Sequence, residues 1–150
     1  TLKSWTSLNL SPMQLISKLA PHFGPECRVW VFIGKRSLDA TETAWANEQL
    51  ATFTQTWQTH GKAMNATGFV FENHALVIVA NEAGLQASGC SIDKINLQIR
   101  QMGTELGVDY FERMNTLVWD NNTWTLSTFS PTETRRTVSA ATQFLDELLL

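Results

Sequence analysis

Apolar residues recur every three or four positions in some stretches of this chain and alternate or run together in others, a contrast that separates helices from strands. Ile92, Ile95, Ile99, Met102 and Leu106 form one stripe and predict a helix over about 92–106, with Gly107 as its left-handed stop. Ala46, Leu50, Phe53 and Trp57 form another, predicting a helix over about 40–59 that ends at His60-Gly61. Val138, Ala141, Leu145 and Leu148 keep this spacing and predict a C-terminal helix over about 131–149, and an N-terminal helix is expected over about 12–22. Ser11-Pro12-Met13-Gln14, Asp39-Ala40-Thr41-Glu42 and Ser130-Pro131-Thr132-Glu133 each set a capping side chain three residues before Gln or Glu. In such a box the cap accepts a backbone N–H while the later side chain reaches back, and proline in the first helical position loses no bond.

Strand-like runs lie at Val29–Ile33, Thr67–Phe71, Leu76–Ala80, Thr116–Trp119 and Thr123–Ser127. Asp120-Asn121-Asn122 supplies a hairpin turn, since asparagine tolerates the left-handed backbone such turns need, and Trp119 and Trp124 are expected to face each other across it. The resulting order predicts one α+β domain over 1–150, with a ferredoxin-like β-α-β-β-α-β core, an antiparallel sheet, an extra C-terminal strand and N- and C-terminal helices. In that core the first and third strands are central, and those two runs are apolar without alternation, which means burial on both faces. Two crossover helices cover only one face. The C-terminal helix or a second subunit is expected over the other.

With 43% hydrophobic and 17% charged residues, the chain has the balance of a globular core. A net charge of −3 argues against a general nucleic-acid or anionic-membrane binder, because both need a basic face. Arg135-Arg136 reads as solvated surface. No apolar run approaches the ~20 residues that span a bilayer, and no charged segment followed by an apolar signal core opens the chain, so a cytoplasmic protein is expected. Two cysteines are too few for a disulfide scaffold. Most of the six tryptophans read as core filling, with Trp5 and Trp45 as candidates for exposure at an interface.

Ser88-Gly89-Cys90-Ser91-Ile92-Asp93 sets a cysteine beside a glycine where strand pattern gives way to helix pattern. Tracing strand directions brings His60, Cys90 and Glu26-Cys27-Arg28 to one end of the sheet, next to a connection longer than the ~2–6 residues usual between strand and helix. A helix start lowers a thiol pKa, which makes Cys90 a candidate nucleophile and His60 its base or ion-pair partner. Gly89, Ser91, Asp93 and Lys94 are candidate ligand-binding residues, the N–H groups of Ser91 to Lys94 being suited to a small anion. Asp93 opposes an easy activation, for its full negative charge meets the half charge of the helix dipole. The plainer alternatives are a small buried cysteine at a tight junction, and a histidine interacting with helix-end carbonyls.

A Cys27–Cys90 disulfide needs a Cα separation within about 7 Å. Metal binding by His60, Cys90 and Cys27 is conceivable, but histidines 22, 60 and 74 are scattered, so no metal site and no cofactor is assigned. Gly34-Lys35-Arg36-Ser37 is not a Walker A motif, since the required earlier glycine position holds Val29. Nucleophile elbow, Cys-x-x-Cys and His-x-x-x-His patterns are lacking as well.

The run ending in Trp30-Val31-Phe32, then Trp57-x-x-His60-Gly61, then Ser88-Gly89-Cys90-Ser91-Ile92-Asp93, then Gly107-Val108-Asp109 resembles a family of small bacterial proteins of unknown function, some labelled "ABC transporter ATPase". The likeness spans roughly residues 26–130 and implies no established activity. It directs attention to His60 and Cys90. The expected function is a non-enzymatic partner-binding or homodimeric module with a polar site at those residues, the alternatives being a thiol-dependent enzyme or redox sensor and a small-anion binder.

Overall fold

A computed structural model describes residues 23–128 and 136–148 of the chain. The expected helix at 12–22, the boxes at Ser11 and Ser130, Trp5, His22 and Arg135 lie outside these residues. The described chain is a mixed α+β unit with antiparallel sheets and two α-helices. Its main sheet has the order β1 (Arg28–Ile33), β5 (Ala75–Asn81), β4 (Asn65–Phe71), each neighbouring pair antiparallel.

Helices α1 (Ala40–Thr56) and α2 (Gly89–Leu106) lie on one face of that sheet. The Asp39 box forms as its sequence predicts: Asp39 accepts from the Glu42 N–H at 2.8 Å, and Glu42 accepts from the Asp39 N–H at 3.1 Å. Arg36 meets Glu42 with two contacts of 2.9 Å and also donates to the Leu106 carbonyl, which ties the start of α1 to the end of α2. Its guanidinium, with help from the Asp39 N–H, holds the Glu42 carboxyl down at about 2. Gly107 stops α2 with a left-handed φ of 68°. Gly68 lets α1 approach β4 closely, for a Cβ there would stand 3.0 Å from that of Leu50.

Val29, Val31 and Ile33 point away from the helices, into a second cluster with Val77, Val79, Leu117, Val138, Leu145 and Leu148. This is the face expected under a C-terminal helix or a second subunit. The chain covers it itself, with a sheet of order β7 (Thr123–Ser127), β6 (Thr116–Asp120), β8 (Thr137–Ser139) and a 3-10 turn at Leu145–Leu148. The layers therefore run helices, main sheet, second sheet.

Three expectations need correction. No C-terminal helix spans the described part of 131–149: Val138 is in a strand and Leu145 and Leu148 in the 3-10 turn, although all three are buried. Spacing of three and four residues found Val138, Leu145 and Leu148 as core positions, but not the backbone that delivers them, and its fourth member, Ala141, is exposed because no helix carries it inward. The strand expected beside β1 is β6, which instead pairs with β7 and β8. Finally, α1 ends at Thr56, and Trp57 is already extended, because β2 (Gln58–Thr59) and β3 (Lys62–Ala63) form a small hairpin turning at His60-Gly61.

Left-handed pairs recur at three tight turns, His60-Gly61, Glu72-Asn73 and Asn121-Asn122. The last confirms the expected hairpin, and Trp119 and Trp124 are opposed across it with ring centroids 5.3 Å apart. Glu72 is the misfit, with a φ of 53° and no favourable side-chain chemistry for it. Burial also pushes its carboxyl pKa up. A raised acid pKa means that the folded state keeps the proton longer than the unfolded one, so Glu72 costs stability as pH rises from the unfolded pKa towards the folded one. Glu72→Asn is expected to stabilise the fold by about 1 kcal/mol, with a larger gain at neutral than at acid pH, as read by urea denaturation at both. A loss of stability at neutral pH would show that the Glu72 stem contributes more than its strain and charge cost.

Candidate functional site

Tracing strand directions placed His60 and Cys90 at one end of the sheet, and the structure joins their neighbours there. The Thr59 hydroxyl donates to Ser88 Oγ at 2.9 Å, and the Ser88 N–H donates to Thr59 Oγ1 at 3.2 Å. Trp57 closes the junction from beneath, its Nε1 donating to the Ser91 carbonyl at 2.8 Å. Arg28 and Glu82 sit 3.8 Å apart at the same end.

The helix begins earlier than its apolar stripe. Ser88 is the cap, its side chain accepting from the Ser91 N–H while Ser91 Oγ accepts from the Ser88 N–H at 2.7 Å. Cys90 therefore falls in the first turn and is exposed. His60 is exposed at its hairpin turn, and no hydrogen bond joins it to Cys90. Gly89 has open space beside it, for a Cβ there would meet nothing within 4 Å, so no close approach requires a glycine at this position. Asp93 and Lys94 are exposed.

The anion site loses donors. Ser91 gives its N–H to Ser88 Oγ and Ile92 gives its own to the Ser88 carbonyl at 2.9 Å, while Asp93 and Lys94 already lie in the helical ladder from Gly89, so all four groups assigned to an anion are committed. Cys27 is buried in the cluster between the two sheets, where desolvation raises its thiol pKa, while Cys90 belongs to the helix layer across the main sheet. Both cysteines are free. The Cys27, Cys90 and His60 set is thus not assembled, and the described residues hold no cluster of three metal-ligating side chains.

A second region was not foreseen. A groove of about 980 Å³ follows β1, floored by the strand and walled by Asn96 and Arg100 of α2, the segment Tyr110–Asn115 and the segment Ala140–Phe144. It occupies the place where β6 was expected to pair. The Gly34 N–H donates to the His74 carbonyl at 2.9 Å, whereas the Val29 N–H donates away from β5, to Gln143 at 2.9 Å. Strand alternation then turns the backbone groups of Val29, Val31 and Ile33 towards the groove. Leu145 donates to the Cys27 carbonyl at 2.8 Å, closing the lower end, and Asn115 Nδ2 donates to the Ile33 carbonyl at 3.0 Å, closing the upper. Between them Val31 has no hydrogen-bond partner on this side among the described residues.

No family model, curated protein or solved structure matches the chain. The site must be read from its own chemistry. Tyr110, 3% exposed, has no partner for its hydroxyl, and burial pushes its pKa up to about 12, so it stays protonated at neutral pH. Arg100 lies over the Phe111 ring at 4.2 Å and Arg28 over the Trp30 ring at 4.7 Å. Among the large apolar side chains exposed in the described residues, Phe144 lines the groove and Met114 stands between two of its wall residues. The groove has a direct test. In NMR hydrogen exchange the Val31 and Ile33 amides are expected to exchange faster than the Val29 amide, despite buried side chains on all three; equal protection would mean that the edge is closed.

Proposed function

We propose that this domain is a partner-binding module that docks protein through the groove along β1. The observation that carries the reading is the stretch of β1 without a strand partner among the described residues, set between apolar and cationic walls that offer recognition chemistry. In this reading the core is a ferredoxin-like β-α-β-β-α unit whose closing strand belongs to the second layer. The second face is covered by the chain itself, so the module does not depend on a second copy. Among the described residues no helix is long and apolar enough to cross a membrane.

Selection from a displayed random-peptide library, followed by NMR mapping of the enriched peptides, tests the proposal. Perturbation centred on Phe111, Arg113 and β1 is the expected result. Enriched peptides that perturb only the Ser88–Lys94 region, or no enrichment at all, would overturn it.

Thiol chemistry at Cys90 is the second reading, favoured by the exposure of that cysteine in the first turn of α2. The rate of Cys90 alkylation against pH decides it. An apparent pKa at or above the ~8.5 of a free thiol removes the activated nucleophile.

A further inference from the structure

We infer that the groove takes an extended peptide segment bearing a carboxylate, added to the main sheet as a strand beside β1. The inference rests on the groove being a protein-docking site and specifies what docks there.

The backbone argument comes first. On the groove side, the Cys27 carbonyl, the Val29 N–H and the Ile33 carbonyl are taken by Leu145, Gln143 and Asn115. The ladder fails to continue because the Gln143 N–H donates to Glu147 Oε2 at 3.0 Å rather than to Val29. Among the described residues this leaves the Val29 carbonyl, both groups of Val31 and the Ile33 N–H without a partner. An extended chain laid along β1 reaches both Val31 groups and the Ile33 N–H whichever way it runs, since strand pairing of either sense uses them. A helix cannot do so, because its interior N–H and C=O groups are spent within it. Asn115 supplies an independent sign: it is 1% exposed, it holds the Ile33 carbonyl at this edge, and its Oδ1 has no hydrogen-bond partner. A buried acceptor without a donor is costly, and an incoming strand brings donors.

Charge selects among extended segments. Arg28, Arg100 and Arg113 line the groove against Glu82 and Glu112, and Arg28 has Glu82 at 3.8 Å. Neither Arg100 nor Arg113 has a carboxylate at ion-pair distance among the described residues, and Arg100 is held over Phe111 at the wall. An acidic side chain on the added strand meets that need. A second copy of this chain fits less well, because its own β1 edge is recessed between the same walls.

The test takes the groove-binding peptides from the library selection and the uniformly labelled full chain. Bound peptide is expected to slow exchange of the Val31 and Ile33 amides by about tenfold or more, as a new hydrogen bond at each would. Replacing the peptide's acidic residue with lysine is expected to weaken binding by about two- to fivefold in wild type and less in Arg100→Gln or Arg113→Gln, the scale of an exposed ion pair. N-methylation of the peptide nitrogens that face β1 abolishes binding. Val31→Pro does the same from the protein side, removing an N–H that has no partner among the described residues; the methylated peptide decides the matter if that variant does not fold. Peptides that bind the groove while Val31 and Ile33 remain unprotected overturn strand addition and leave the docking site standing. Peptides that never touch the groove overturn both. Equal binding of acidic and lysine peptides overturns the choice of a carboxylate.

Discussion

Replacing Trp57 with alanine is expected to destabilise the fold by about 3–5 kcal/mol, the range for deleting a large buried aromatic side chain. Its ring is 2% exposed and packs against Trp30 at 5.6 Å and Phe53 at 5.8 Å. Trp57 is also the residue at which α1 ends and the His60 hairpin begins, with its own carbonyl accepting from the Met64 N–H at 3.0 Å. Alanine removes the packing and leaves the Ser91 carbonyl without the indole donor. Trp57→Phe separates the two effects, because it keeps most of the ring and costs about 1–3 kcal/mol for the unmade bond to a buried acceptor. Urea denaturation of both variants checks this. If alanine costs no more than phenylalanine, the indole N–H rather than the ring holds the junction.

Leu117→Ala is expected to cost about 2–5 kcal/mol and to do so in a single transition with an unchanged denaturant slope. Leu117 is 1% exposed and comes from β6, yet it packs in one cluster with Val29, Val31 and Ile33 of the main sheet. Emptying its position therefore loosens both sheets together. A separate early transition, with the main sheet still folded after it, would show instead that β6, β7 and β8 are an appendage.

These variants probe the two places where sequence and tertiary structure part company. Around Trp57, the spacing of Ala46, Leu50, Phe53 and Trp57 was compatible with a helix running to His60, but Trp57 packs inward from an extended backbone. His60-Gly61 was legible as a stop, and not as a hairpin turn, because strands of two residues carry no periodicity to read. Near Leu117, the strand itself was legible and its partner was not. Thr116–Asp120 suits either the edge of β1 or a hairpin with β7 and β8, and nothing local distinguishes them.

The candidate site divides in the same way. Strand directions alone brought His60 near the start of α2, and the Thr59–Ser88 bonds form at that place. The start of that helix was legible only from Ile92, where the apolar stripe opens, whereas Ser88 caps it and the backbone is helical from Gly89. The groove left no mark in the sequence. Unpaired N–H and C=O groups are the same in every residue, so an open edge appears only when the pairing of the whole sheet is known.

The order of residues is enough to set the Asp39 box, the Gly107 stop, the Asn121-Asn122 hairpin and the α+β character, each decided by contacts within a few residues. It also determined that Val29–Ile33 must be covered on both faces, since an apolar run without alternation leaves no side for water. What provides the cover is settled by long-range packing. By drawing β6 into a second layer over Val29, Val31 and Ile33, the fold buries the far face of the main sheet and leaves the edge of β1 without a paired strand among the described residues. That choice rests on burial and strand pairing between segments more than eighty residues apart, as at Val31 and Leu117, which no local pattern encodes.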